Sequence, residues 1–291
     1  ASGKTQFSLR LARALDGEII CADSRQIYQD MDIGTAKPSA QELGQATHHL
    51  FDYVDPRETY SVANYRKAAL AKIAAIQERG KQPLLVGGTG LYFRTLLYDY
   101  NLPEVPAQPD LRETLEQLPL DTLKAELIAV DPVAGERIHL NDRFRLVRAL
   151  EVFKVTGRPI SSFQTRSSGL SMPCLYVGLR LPKAYLYERI QQRIEQMFKS
   201  GLIEEVKALQ QKYGPELPLL KTLNYAEVTH YLNGVYDLDT AKEKMFIHTR
   251  QYARRQRTWF QRDQEIHWFD IESPQNIQSA VRWVTEQISH G

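Results

Sequence analysis

Residues 1–5 read Ala-Ser-Gly-Lys-Thr, and whether they belong to a phosphate-binding loop decides the fold. Gly3-Lys4-Thr5 is the back half of the G-x-x-x-x-G-K-[ST] pattern, whose first glycine and preceding strand would lie ahead of residue 1. The stretch QFSLRLARAL (6–15) follows at once, with Phe7, Leu11 and Ala14 on one helical stripe. GEIICAD (17–23) then reads as a short buried strand ending in an acid. A helix directly after Lys4-Thr5 is what phosphate binding requires, because the N–H groups and dipole at a helix N-terminus favour an anion. Lys4 would meet phosphate oxygens and the Thr5 hydroxyl would bind Mg²⁺. Ala1, Ser2, Gly3, Lys4 and Thr5 are therefore the expected phosphate-binding segment, with Thr5 as metal ligand. The missing half implies a truncated or partly ordered chain, not a protein that works without its first strand.

The pattern continues outward. HLFDYV (49–54) looks like a strand, Tyr65 to Gly80 like a helix stopped by glycine, and PLLV (83–86) like a strand ending in the Gly87-Gly88 turn. Alternating helices and strands imply an α/β fold, a P-loop NTPase-like parallel sheet with flanking helices. The rhythm changes near Asn101. LPEVPAQPD (102–110) reads as a proline-rich linker, and helical patterns run from Asp110 to about Val130 and from Asn141 to Thr156. Residues 101–171 are expected to form a helical insertion domain closed by a polar hinge, Thr165 to Ser171, between core segments 1–100 and 172–291. In the last segment the sheet resumes at CLYVGLRL (174–181). Long helices follow at about Ala184 to Lys212 and Thr240 to Arg262, then a strand at Ile266 to Ile271 and a final helix.

A chain of 291 residues with 43% hydrophobic and 25% charged residues has the composition of a soluble globular protein. Its apolar runs are too short to span a membrane. Cys21 and Cys174 are too few for a disulfide framework or a cysteine-rich zinc site; both sit in apolar runs and are expected to be buried thiols in a reducing cytosol. The net charge of +2 is uninformative, but its distribution is not, because Lys242 to Arg262 is rich in Arg and Lys with Glu243 its only acid.

The next motifs carry the chemistry. DSRQIY (23–28) ends a sheet strand, where ligands bind in open α/β sheets. GTAKP (34–38), His48-His49 with Asp52, and GGTGLY (87–92) follow. Then come Asn141-Asp142, Arg145, Arg148-Ala149-Leu150-Glu151, Thr249-Arg250-Gln251, Arg254-Arg255-Gln256 and Thr258-Trp259-Phe260. In this order, over nearly the whole chain, they resemble the tRNA dimethylallyltransferases. The resemblance implies transfer of a dimethylallyl group from dimethylallyl diphosphate to the exocyclic amine of the adenosine on the 3′ side of a tRNA anticodon. The phosphate loop would then hold a diphosphate leaving group, with Lys4, Thr5 and Mg²⁺ stabilising it. Asp23 is the expected base for the adenine amine, with Thr89 and Arg250 completing the catalytic group. His48 and His49 face opposite sides of a strand, and nothing beside them has metal-ligand spacing.

The target adenosine is stacked in the anticodon loop, so it must be extruded, at a cost of about a few kcal/mol. Ser24, Arg25 and Gln26, beside Asp23, can donate and accept around the flipped base. Arg250, Arg254 and Arg257 form one basic stripe, with Tyr252 and Trp259 opposite as core. By resemblance Phe144, Arg145, Leu146, Val147 and Arg148 meet tRNA, Arg250 lies near the diphosphate, and the insertion is half of an RNA clamp. The family usually has Gly-Tyr where this chain has Asn224-Tyr225; Asn tolerates left-handed backbone, so the turn can survive. With no Cys/His pair after the last strand, the bacterial type without a zinc finger is implied, working in the cytoplasm as a monomer. The rival readings are an enzyme that prenylates free adenylate, which needs neither the insertion nor the arginine-rich helix; a small-molecule P-loop kinase, which leaves DSRQIY and GGTGLY unexplained; and a noncatalytic RNA-binding protein with a relic phosphate loop, against which the retained Lys4, Thr5 and Asp23 count.

Overall fold

The computed structural model describes residues 3–98, 103, 105–163 and 169–289. Ala1, Ser2, part of the proline-rich linker and most of the polar hinge lie outside the described residues. The chain divides into two compact units, Ala1–Phe93 with Pro173–Gly291, and Arg94–Met172.

The first unit begins with α1 (Lys4–Ala14), β1 (Gly17–Ala22), α2 (Ala40–Leu43), β2 (His48–His49), α3 (Val62–Glu78), β3 (Gln82–Gly87) and the start of α4 (Gly90–Leu97). All six residues of β1 are buried, as expected of a strand covered on both faces of a parallel sheet. β1 lies between β2 and β3 and pairs with both in parallel, with Ile19 opposite His48 and Leu84, and Ala22 opposite Gly87. Helix α1 buries two stripes. Phe7 and Leu11 join Ile271, Ile277, Ala280 and Val284, while Leu9 and Ala12 join Ile19. Ala14 is exposed, so the expected stripe ends at Leu11. The strand expected over residues 49–54 shrinks to β2 and a bridge between Tyr28 and Val54, because Leu50 and Asp52 turn the backbone to φ 61° and 53°. Helix α3 starts earlier than its pattern suggests, since Ser61 caps it and Asn64 completes a capping box.

The second unit holds the rest of α4, α5 (Pro109–Glu116), α6 (Leu120–Val130), α7 (Pro132–Arg137), α8 (Arg143–Thr156) and α9 (Ile160–Phe163). Pro119 at the N-cap of α6 splits the helix expected over residues 110–130. Leu123, Leu127, Leu146, Val147 and Leu150 fill its core, each buried side chain contributing about 1.5–3 kcal/mol. Glu151 lies inside this apolar core, its side chain wholly inaccessible. Arg112 Nε and Nη2 donate to its two oxygens at 2.8 and 3.0 Å, Arg148 Nη1 at 2.5 Å and the Gln108 N–H at 2.8 Å.

The chain then returns to the first unit through β4 (Val177–Arg180), α10 (Lys183–Lys199), α11 (Leu202–Tyr213), a 3₁₀ turn (Pro218–Lys221), α12 (Tyr225–Leu232), α13 (Leu238–Phe260), β5 (His267–Asp270) and α14 (Pro274–Ser289). The single helix expected over residues 184–212 is two, broken at Gly201 with φ 96°. Strands β4 and β5 pair in parallel with each other rather than extending the sheet of β1 to β3, which corrects the expectation of one resumed sheet. Apolar pattern announces a strand but not its partner. The cluster that Phe7 and Leu11 of α1 join also takes in Leu84 of β3 and Val177 and Phe269 of β4 and β5. Cys21 is buried as expected, but Cys174 is exposed, three residues ahead of β4, because its apolar run starts before the strand does.

Glu151 yields a stability prediction. Burial alone would raise its carboxyl, but the hydrogen bonds from Arg112, the Gln108 amide and Arg148 hold it below the ordinary glutamate range. Its folded value lies below the unfolded one, so its stabilisation is complete above about pH 4.5 and fades as pH falls through the lower folded value. Glu151→Ala strands two arginines. Urea denaturation at pH 7 should register a loss of about 3 kcal/mol that shrinks on acidification; a loss under about 1 kcal/mol at pH 7 contradicts the clamp.

Candidate active site

Gly3 caps α1 in the left-handed region, φ 83°, and the Phe7 N–H donates to Gly3 O at 3.1 Å. The amides of Lys4, Thr5 and Gln6 precede that bond, at the positive end of the helix. Burial depresses the Lys4 ammonium below the usual lysine range; Asp23 pulls it up and Arg193 pushes it further down. Lys4 thus sits within electrostatic reach of both the β1-terminal acid and an arginine of α10. One turn earlier on α10, Arg189 Nη1 comes 3.5 Å from where a β-carbon on Gly3 would lie. Arg189 and Arg193 were not anticipated from sequence. Their i, i+4 spacing puts them on one helix face, but spacing cannot tell that the face meets the phosphate loop.

Parallel pairing brings the ends of β1 and β3 together. The Ser24 N–H donates to Thr89 Oγ1 at 2.9 Å, the Thr89 hydroxyl donates to Ser24 Oγ at 3.2 Å, and the Thr89 N–H donates to Ala22 O at 3.1 Å. The Arg25 N–H donates to Asp23 Oδ1 at 3.0 Å, orienting that carboxylate. The glycines of the β3–α4 turn serve close approach. A β-carbon on Gly88 would fall 2.2 Å from Gln256 Nε2 and 3.7 Å from Asp23 Oδ2, and one on Gly90 would fall 2.0 Å from Trp259 Nε1.

The residues pressing on that turn come from α13. Tyr252, Gln256 and Trp259, at i, i+4 and i+7, form the face turned to the turn and Asp23; Gln256 Nε2 donates to Gly88 O at 2.9 Å. Burial, reinforced by Asp23, pushes the Tyr252 phenol up to about 12. The expectation that Tyr252 and Trp259 form a core face is thereby corrected: both are half-buried beside the strand ends. Within the expected basic stripe Arg250 stands apart, being half-buried. Its guanidinium lies 4.2 Å from the Tyr187 ring centroid and 5.3 Å from that of Phe246, and its Nε is buried without a hydrogen-bond partner. Arg254 and Arg257 are exposed. Thus Lys4, Asp23, Ser24, Thr89 and the Tyr252 face of α13 are brought together, with Arg250 packed on α10.

In the second unit, Phe144 is 73% exposed at the start of α8, beside the exposed Arg145, which pairs with Asp142 at 2.9 Å. Leu146 and Val147 are buried in the core, so their side chains cannot meet RNA; the 3.6-residue period that exposes Phe144 and Arg145 turns these two inward. Arg148 is committed to Glu151 and to Val105 O. His49 Nε2 lies 2.6 Å from Glu18 Oε2, which Arg79 also binds, and the described residues hold no cluster of metal-ligating side chains.

A family model described as IPP transferase matches residues 26–263. The tRNA dimethylallyltransferase of Gloeothece citriformis is 45% identical over 99% of this chain and 94% of its own, and that of Synechocystis sp. 44% over 100% and 95%. The chain belongs to the tRNA dimethylallyltransferase family. Among solved structures, the full-length tRNA isopentenylpyrophosphate transferase of Bacillus halodurans is similar with a TM-score of 0.71 and 36% identity, covering 100% of this chain and 96% of that one. A eukaryotic dimethylallyltransferase acting on tRNA superposes with a TM-score of 0.85 at 29% identity, covering 100% and 77%. Asn224 does take a positive φ, 72°, at the N-cap of α12.

The crowding at Gly88 is testable. Gly88→Ala should lower stability by about 1–3 kcal/mol in urea denaturation, because the new methyl meets the Gln256 amide. Gln256→Ala should relieve most of that loss; an equal loss in both backgrounds rules out Gln256 as the obstructing group.

Proposed function

We propose that this protein transfers the dimethylallyl group of dimethylallyl diphosphate to the exocyclic amine of the adenosine 3′-adjacent to the anticodon in tRNA, releasing diphosphate. The observation that carries the reading is the convergence of the β1 and β3 ends: the Ser24 N–H donates to Thr89 Oγ1 beside Asp23, whose carboxylate is held by the Arg25 N–H and whose charge reaches Lys4 at the start of α1.

The donor's diphosphate binds over the amides at the start of α1, with Lys4, Arg189 and Arg193 supplying positive charge. Thr5 and Asp23 are hard oxygen donors of the kind Mg²⁺ prefers, and Thr5 would ligate it alongside diphosphate oxygens. Bound there, the ion supplies charge neutralisation to the departing diphosphate. The adenine nitrogen forms a bond to C1 of the dimethylallyl group while the C1–O bond breaks and its electron pair leaves with diphosphate. Asp23 accepts the proton that the amine sheds, and the Arg25 amide keeps Oδ1 turned. Thr89 orients Ser24 beside the base. In the helical unit, Phe144 and Arg145 offer an aromatic surface and a cation to RNA. Arg254 and Arg257 extend phosphate contact along α13. No helix among the described residues is long and apolar enough to cross a membrane. A monomeric, cytoplasmic enzyme completes the reading, and sedimentation checks the first of these.

Asp23→Asn is the decisive variant. It keeps the shape of the side chain and loses the proton acceptor. Single-turnover transfer to an anticodon stem-loop should slow by about 10²–10⁴-fold while the affinity for that stem-loop is retained. Chelation of divalent ions should abolish transfer in the parent and be reversed by Mg²⁺. Transfer by Asp23→Asn within threefold of the parent would remove Asp23 from the base role.

A further inference from the structure

Loop 24–38 follows Asp23 directly, and it is held from a distance by α11 and α12. Glu205, in the first turns of α11, accepts the N–H groups of Asp32, Ile33 and Gly34 at 3.0, 2.7 and 3.0 Å, and the Tyr225 hydroxyl at 2.8 Å. Asn224 Nδ2 donates to Gly34 O at 2.7 Å, so both backbone polar groups of Gly34 are bound. The approach is so close that a β-carbon on Gly34 would fall 2.4 Å from the Tyr225 ring. The next two residues of the loop present their carbonyls to one side chain. Gln26 Nε2 donates to Thr35 O at 3.0 Å and to Ala36 O at 2.9 Å.

A primary amide has two hydrogens, and two carbonyls take both. The orientation of the Gln26 amide is therefore fixed: reversed, its oxygen would face two carbonyl oxygens. What Gln26 offers beyond the loop is Oε1, an acceptor to which no described residue donates. Three residues after Asp23, such an acceptor complements a nucleobase edge that carries an amine and opposes one that carries a carbonyl.

We infer that Glu205 is a positioning residue for base selection: by clamping residues 32–34 it holds the Thr35 and Ala36 carbonyls against Gln26, so that Gln26 presents only an acceptor and selects a 6-amino over a 6-oxo purine. The inference rests on the proposed acceptor being an adenosine in RNA. A carboxylate is needed at position 205 because it is faced only by donors; an amide there would set its own N–H against one of them.

The test measures binding of an anticodon stem-loop carrying adenosine or inosine at the target position by fluorescence anisotropy, with prenyl transfer to the adenosine form followed in the same preparations. The parent should prefer adenosine about tenfold, the scale of one hydrogen bond gained and one repulsion avoided. Glu205→Gln should reduce the preference below about threefold while leaving the affinity for dimethylallyl diphosphate unchanged, a split that general loosening of the fold does not give. Gln26→Ala should abolish the preference, and adding Glu205→Gln to it should change the ratio no further. A parent-like preference in Gln26→Ala, or independent effects in the double variant, overturns the inference; Gln26→Ala can overturn it even where Glu205→Gln does not fold. A parent that transfers the prenyl group yet binds both stem-loops equally refutes the inference alone. A parent that neither binds the stem-loop nor transfers refutes the functional reading and the inference with it.

Discussion

The parallel pairing of β1 with β3 is the constraint on which the site depends. Parallel strands end on the same side, and the register sets Ala22 opposite Gly87, so Asp23-Ser24 and Gly88-Thr89 emerge side by side. Backbone polarity then does the local work: Thr89 is tied to Ala22 through its amide and to Ser24 through its hydroxyl. A one-residue slip would turn β1, buried on both faces, out of register with its neighbours and carry Asp23 away from the threonine.

Around this seam two groups of helices divide the task. Helices α1 and α10 bring positive charge, through Lys4, Arg189 and Arg193, to where a diphosphate would lie. Helix α13 seals the other side with Tyr252, Gln256 and Trp259. Burial, with Arg193 adding to it, lowers the affinity of Lys4 for its proton, and an anion bound beside it would offset that.

Much of this was legible in the residues. Gly-Lys-Thr before a helix, an acid after a short buried strand and a double-glycine turn after another each stand at the element ends where the sequence placed them. The limits of legibility were equally physical. Helix α13 was read as a basic stripe with an apolar back, but Tyr252 and Trp259 present a half-buried face to glycines that make room for them, and periodicity cannot distinguish a core from a neighbouring turn. Leu146 and Val147 shared a motif with exposed neighbours and were drawn into the same role, although their positions on α8 turn inward. Arg189, Arg193 and Glu205 have the spacing of ordinary amphipathic-helix residues, and only tertiary placement reveals what they face. The breaks at Leu50, Asp52 and Gly201 depend on positive φ values, which at the two non-glycine positions no composition rule announces.

In the proposed reaction the strand-end carboxylate and the phosphate loop serve one prenyl transfer to RNA. The most direct test incubates the protein with Mg²⁺ and dimethylallyl diphosphate, offering an anticodon stem-loop and AMP as acceptors in separate reactions, and weighs the products by mass spectrometry. The added prenyl mass is expected on the stem-loop and not on AMP. Prenylated AMP would assign the site to free nucleotides, and an unmodified stem-loop under these conditions would contradict the account.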